Sequence, residues 1–239
     1  MSPKSKAQSP RLPFVFVNMA MTADGKIATA NRAVAFFGSA RDREHLLELR
    51  ATTDAVIAGA RTVDSAAINL GPGPAKFRRA RLKNGLMEYN LRVIVSGSGS
   101  LNPDAEVFKH HFSPIVILTT GRISKAKLRQ LQTIADEVKI CGRREINFRT
   151  AFFWLREKWG VKRLLCEGGG ELNDALFRAG LVDELHLTIC PKIFGGRNAS
   201  TGADGRGFCR LTDALPLQIK SFRRIGNEVF AVFRRVQKR

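Results

Sequence analysis

Seven short apolar runs rich in Val, Ile and Phe recur along this chain, at 14–21, 54–60, 91–97, 114–120, 137–142, 161–169 and 184–194. Runs of that length bounded by turn formers read as strands buried on both faces. Between them, 39–51, 124–135, 147–160 and 170–181 carry apolar residues at helical spacing. Ser39 and Ser124 stand where helix starts need a capping oxygen, and Gly160 and Gly180 where helices stop. Strands alternating with helices return to one sheet in parallel, with helices on either side. The fold class is therefore α/β, a three-layer, mostly parallel central sheet with helices on both faces. The chain end breaks the pattern, because 217–236 reads as two alternating strands around Gly226-Asn227, an antiparallel C-terminal hairpin. Residues 71–90, GPGPAKFRRARLKNGLMEYN, mix turn formers with a basic run. Lacking an apolar period, they read as a surface loop with at most one helical turn, able to fold over a ligand. Residues 1–12 read as a flexible basic arm. No repeat or linker divides 13–239, which reads as one domain.

Composition removes several classes. With 44% hydrophobic and 26% charged residues the chain is neither disordered nor fibrous. No stretch approaches the roughly 18 apolar residues of a membrane helix, and the first residues lack the apolar core of a signal peptide, which points to a cytoplasmic protein without a membrane partner. Cys141, Cys166, Cys190 and Cys209 are widely spaced, so neither a disulfide framework nor a zinc site is encoded. The four histidines show no ligand pattern either, and no metal is expected. The abnormal number is the charge of +19. Such a field draws polyanions, whether nucleic acids or phosphorylated small molecules and dinucleotides. The cationic runs are dispersed and contain no recognition helix or aromatic platform, which favours a solvated basic surface over nucleic-acid binding.

Three segments carry chemistry. In Leu164-Leu165-Cys166-Glu167-Gly168-Gly169-Gly170-Glu171-Leu172-Asn173, an apolar strand ends in an acid and three glycines before a helix. Backbone can approach a phosphate there, and a helix N-terminus favours an anion; a glycine turn serving only tight packing is the alternative. Glu167 lies at the carboxyl end of its strand, where open α/β sheets bind ligands. A second strand runs out into Asp24-Gly25, where the plain reading is a turn in which Asp24 caps its own backbone. A third ends at Gly59, and Thr62 beyond it suits a helix cap or a phosphate. Arg50, closing the helical segment before that strand, is either a solvated last-turn cation or a ligand for an anion.

TADGKIA (22–28), LRATTDAVIAGARTV (49–63) and CEGGGELN (166–173), followed by GLVDEL (180–185) and PKIFGG (191–196), together resemble the pyrimidine reductase family of riboflavin biosynthesis. That family forms the C-terminal half of a bacterial deaminase/reductase and stands alone in archaea and fungi. The resemblance covers 14–236 and implies a dihydrofolate-reductase-like fold, a homodimer, and NADPH as cofactor with NADH left open. It also implies reduction of the ribosylamino group of a pyrimidine ribose 5′-phosphate to the ribitylamino form, with a separate deaminase in the pathway. Carried over by position, Ala20, Thr62 and Ser96 become cofactor contacts, with Gly168, Gly169, Gly170, Glu171, Leu172 and Asn173 around the cofactor phosphates. Val34, Phe36, Arg50, Leu70 and Glu167 become substrate contacts. No residue takes a catalytic role by position; Glu167 and then Asp24 are the candidate acids.

The chain departs from the family in three places. Val34 and Phe36 stand where Ser and Trp are frequent, Ala66 and Ala67 replace a pair of aspartates, and Gly73 replaces an Arg that meets the substrate. Lys76, Arg78 or Arg79 then supplies the missing cation, or the substrate differs. Reduction of another pteridine or pyrimidine is the alternative activity, and a basic nucleic-acid-binding protein on this scaffold is the alternative of another class. Whether the amino or the deaminated pyrimidine is the substrate stays open at this level.

Overall fold

The computed structural model describes residues 11–31, 36–65 and 67–236. Its strands are β1 (Phe14–Thr22), β2 (Ala55–Gly59), β3 (Leu91–Val95), β4 (Ile115–Thr119), β5 (Glu137–Ile140), β6 (Arg163–Cys166), β7 (Glu184–Cys190), β8 (Leu217–Ile225) and β9 (Glu228–Arg235). They form one sheet in the order β5-β4-β3-β2-β6-β1-β7-β9-β8. The seven strands from β1 to β7 pair in parallel, and β9 joins β7 and β8 antiparallel, as the hairpin pattern predicts. The helices are α1 (Ala40–Arg50), α2 (Ala60–Ser65), α3 (Ala75–Lys83), α4 (Lys125–Ile134), α5 (Phe148–Trp159) and α6 (Gly170–Arg178).

Successive side chains of a strand point to opposite faces, so a strand covered on both sides feeds two cores. Val15, Val17, Ile57, Val93 and Cys166 pack with Phe152 and Leu155 of α5 and Leu172 and Leu176 of α6. Phe16, Val56, Ala58, Ile94 and Leu165 pack on the other face with Leu49 of α1 and Leu131 of α4. Serine caps act at both expected starts, Ser39 accepting from the Asp42 amide and Ser124 from the Lys127 amide. Gly160 ends α5 in the left-handed conformation, with φ 67°.

The segment 71–90 corrects the sequence reading. Its basic run is the nine-residue helix α3, not a loop. Phe77 and Arg81, one turn apart, are its buried side chains, and two positions leave no period to detect. Arg81 is 1% exposed and donates to the carbonyls of Arg50, Thr53 and Met87, satisfying backbone acceptors that the end of α1 leaves open. Two boundaries also move. Residues 60–65 leave β2 as the short helix α2, and β7 stops at Cys190, before Pro191. Residues 1–10 of the predicted arm lie outside the described residues, while Leu12 packs on the first core.

Candidate active site

The carboxyl ends of the parallel strands border a cavity of about 1180 Å³. Thr62, Ser96, Gly169, Gly170, Glu171 and Leu172 line it, six of the residues assigned to the cofactor from sequence. The glycine turn is tight because backbone meets backbone there. Gly59 N–H donates to the Gly168 carbonyl at 3.0 Å, and Gly168 and Gly169 hold φ of 90° and 73°, values that penalise any other residue. A Cβ at Gly169 would lie 3.1 Å from the Thr62 hydroxyl, and one at Gly170 would lie 2.5 Å from the Thr201 carbonyl. No side chain caps α6, so its first amides face the cavity with a favourable dipole. Arg122, Arg144 and Arg149 also line the cavity, and none makes an ion pair among the described residues.

The remaining assigned positions divide. Asn173 is fully buried, donating to the Gly202 carbonyl at 2.8 Å and accepting from the Cys166 thiol at 3.4 Å. Its side chain ties the glycine turn to the 202 loop and does not line the cavity. Gly168 backs onto Met19. Leu70, assigned to the substrate from sequence, turns its side chain into the second core, 0% exposed, on a backbone at φ 57°. Phe36 is exposed beneath the Arg43 guanidinium, 4.4 Å from its ring. Val34 lies outside the described residues.

The residues assigned to the substrate lie on the α1 side of the sheet, away from that cavity. Strand β1 is central, between β6 and β7, yet Asn18 and Ala20 are only half-buried. At one end Arg50 grips Glu167 through two hydrogen bonds of 2.5 Å, with both side chains 8% exposed, and Arg50 also donates to the Gly71 carbonyl at 2.5 Å. Arg50 is thus no solvated last-turn cation. At the other end Asp42, two turns earlier on α1, bonds Thr188 of β7. The sequence reading passed over Asp42, although the spacing of 42, 46 and 50 puts it on the same helix face as Arg50.

Neither candidate acid stands free to move a proton. Both Glu167 oxygens are committed to Arg50. Asp24 accepts from the Thr22 hydroxyl at 2.5 Å and from the amides of Phe194 and Gly195 at 3.2 and 2.8 Å, fastening two loops together. The Thr22 bond leads in holding its carboxyl below the usual range, which suits an acceptor and opposes a donor. Cys166, at the end of β6, is inert because burial pushes its thiol up to about 12. Of the three cations that follow Gly73, Lys76 pairs with Glu44 and Arg78 with Glu88, leaving Arg79 without an acid among the described residues. Gly73 holds φ 77°, where any side chain is strained, and a Cβ there would also have to displace the Leu47 methyl 2.8 Å away.

A parallel sheet, a cleft along its carboxyl edge and a glycine turn into a helix start define an α/β protein of the dihydrofolate-reductase-like class. The solved structure of a pyrimidine reductase-like protein from Corynebacterium diphtheriae has that fold, with a TM-score of 0.76 at 21% identity over 95% of this chain and 93% of that one. Residues 13–231 match the RibD C-terminal domain, and the chain belongs to that family. Two curated relatives span it almost whole. It is 32% identical to the 2,5-diamino-6-ribosylamino-4(3H)-pyrimidinone 5′-phosphate reductase of Methanothermobacter thermautotrophicus, over 92% of this chain and 97% of that one. It is 33% identical to the protein of the same name from Archaeoglobus fulgidus, over 92% and 96%. The chain is an oxidoreductase of the pyrimidine reductase family.

Proposed function

We propose that this protein uses NADPH to reduce the ribosylamino group of a pyrimidine ribose 5′-phosphate to the ribitylamino form, a step of riboflavin biosynthesis. The observation that carries the reading is end-to-end similarity to named stand-alone reductases, on a fold whose glycine turn opens into a large cleft. A dinucleotide fits: the uncapped start of α6 offers N–H groups to a pyrophosphate, and the glycines let backbone close on it. Arg122, Arg144 and Arg149, at the cleft wall and without an ion pair among the described residues, favour the additional phosphate of NADPH over NADH. When bound, the cofactor supplies the hydride, and the chain's task is to hold the two reacting carbons close and aligned. Arg50 and Glu167 stand on the substrate side, and Ala20, half-buried on β1, is the cofactor contact that the family position implies.

The same reading includes a cytoplasmic homodimer and a separate deaminase. No described helix is long and apolar enough to cross a membrane. Ile219 and Phe222 on β8 are 65% and 62% exposed, a surface that a second copy would cover. Reduction of another pyrimidine or pteridine is the second reading, favoured by the glycine at position 73 in place of the family's Arg.

The test is NADPH oxidation with the amino and deaminated pyrimidine ribosylamine phosphates, beside calorimetric titration with NADPH. Turnover of either substrate is expected. NADPH binding without turnover would select the second reading. Absence of both, with salt-sensitive oligonucleotide binding, would replace the enzyme with a nucleic-acid binder.

A further inference from the structure

Arginines line the cavity at the carboxyl edge from more than one wall. Arg122 follows β4, Arg144 precedes α5 and Arg149 stands on α5, and these three have no acid beside them among the described residues. Arg61 and Arg178 pair with acids of α6, Glu171 and Asp174. Arg206, in the segment that follows β7, pairs instead with Glu145, which lines the cavity from the turn between β5 and α5.

The backbone that carries Arg206 is clamped to α6. The buried carboxylate of Asp174 accepts from the amides of Arg206 and Gly207, at 3.0 Å each, and from the Arg178 guanidinium at 2.8 Å. The Asp204 amide donates to the Gly170 carbonyl at 2.9 Å, and Asn173 donates to the Gly202 carbonyl at 2.8 Å. No room is left between segment and helix, since a Cβ at Gly205 would run into the Asp174 carboxylate. The Arg206 side chain is loose by comparison. It is 70% exposed and that of Glu145 63%, and their bond is the one hydrogen bond or ion pair that ties 199–207 to the residues between β5 and α5 among the described residues. Exposed ion pairs contribute little and are screened by salt. A phosphate offers a guanidinium two parallel charge-assisted bonds, and three further arginines in the same cavity draw such an anion in, so exchange of Glu145 for a phosphate is favourable.

We propose that Arg206 is a phosphate ligand of the cofactor cleft held in reserve by Glu145. An arriving dinucleotide phosphate displaces the carboxylate, and the guanidinium swings from Glu145 to the ligand on a backbone that stays in place. This rests on the dinucleotide reading above. Glu145 is then an internal competitor: it occupies Arg206 while the cleft is empty and lowers the apparent affinity for any anion that must displace it.

The test is calorimetric titration with NADPH and with NADH of the wild type, Arg206→Ala, Glu145→Gln and the double variant. Arg206→Ala should weaken NADPH binding about tenfold, and Glu145→Gln should tighten it about threefold. The double variant should match Arg206→Ala alone, because the acid matters only through its partner. Equal losses for both nucleotides in Arg206→Ala would support the proposal with the pyrophosphate as ligand, and a loss confined to NADPH would support it with the additional phosphate. Three results would overturn it: unchanged NADPH affinity in Arg206→Ala, weaker or unchanged affinity in Glu145→Gln, or a tightening by Glu145→Gln that persists without Arg206, which would be the general effect of one negative charge fewer. Both side chains are exposed, so unfolding midpoints of the variants should coincide with that of the wild type. A wild type that binds neither nucleotide would fail the dinucleotide reading itself, an outcome distinct from all three.

Discussion

The two regions proposed to hold the cofactor and the substrate are built from different materials. The cofactor side is backbone: three consecutive glycines, the first amides of α6 and a carbonyl contact to Gly59. The substrate side is side chains drawn from distant parts of the chain, with Arg50 and Glu167 separated by 117 positions. A backbone site tolerates neighbours of many kinds but no added Cβ; a side-chain site depends on each partner finding the other. The two sides should therefore fail differently.

The largest effect should come from the substrate side. Arg50→Met leaves Glu167 buried without a partner, and unpairing a buried ion pair costs about 3–5 kcal/mol. Denaturant unfolding of the variant should show that loss. A loss below about 1 kcal/mol would mean that Glu167 swings into water and that the wall is not rigid.

Acid should weaken the same side next. His186 on β7 lies against His45 of α1, and burial, then His45, lowers its pKa from 6.5 to about 4; Glu184 and Lys220 are its other charged neighbours. The folded pKa is below the unfolded one, so its contribution is intact above pH 6.5 and is lost as pH falls toward 4. At about 1.36 kcal/mol per unit this amounts to roughly 3 kcal/mol. Unfolding measured across that window should show the decline, and His186→Phe should flatten it.

The smallest of the three belongs to the cofactor side. Gly169→Ala places a side chain at φ 73°, 3.1 Å from the Thr62 hydroxyl. The expected cost is about 1–2 kcal/mol of stability, with NADPH affinity reduced about tenfold if the closed turn contacts the pyrophosphate. Unchanged affinity would turn the glycines back into packing devices and leave cofactor binding to the start of α6 and the arginines of that wall.

The same division governed what could be read in advance. The alternation of strands and helices, the terminal hairpin, the caps at Ser39 and Ser124 and the glycine turn are local patterns, each spelled out by adjacent residues. Helix α3 escaped notice because its inward face is one aromatic ring and one arginine, and a buried cation looks like a solvated one until the carbonyls it serves are in place. The inward turn of the Leu70 side chain is hidden for a related reason: sequence position next to a loop does not say whether a side chain turns toward a ligand or the core. In sequence Asp42 is one charge among many on α1.

By itself, then, the sequence determined the layers of this protein, the direction of its sheet and the place of its glycine turn, because periodicity and turn chemistry act over a few residues. Only the tertiary structure decided which charges are paired and which are left waiting. Arg50 meets Glu167, and Asp42 meets Thr188 and no lysine or arginine among the described residues, because β6, β1, β7 and α1 come together only in the fold, and electrostatic partnership depends on distance in space.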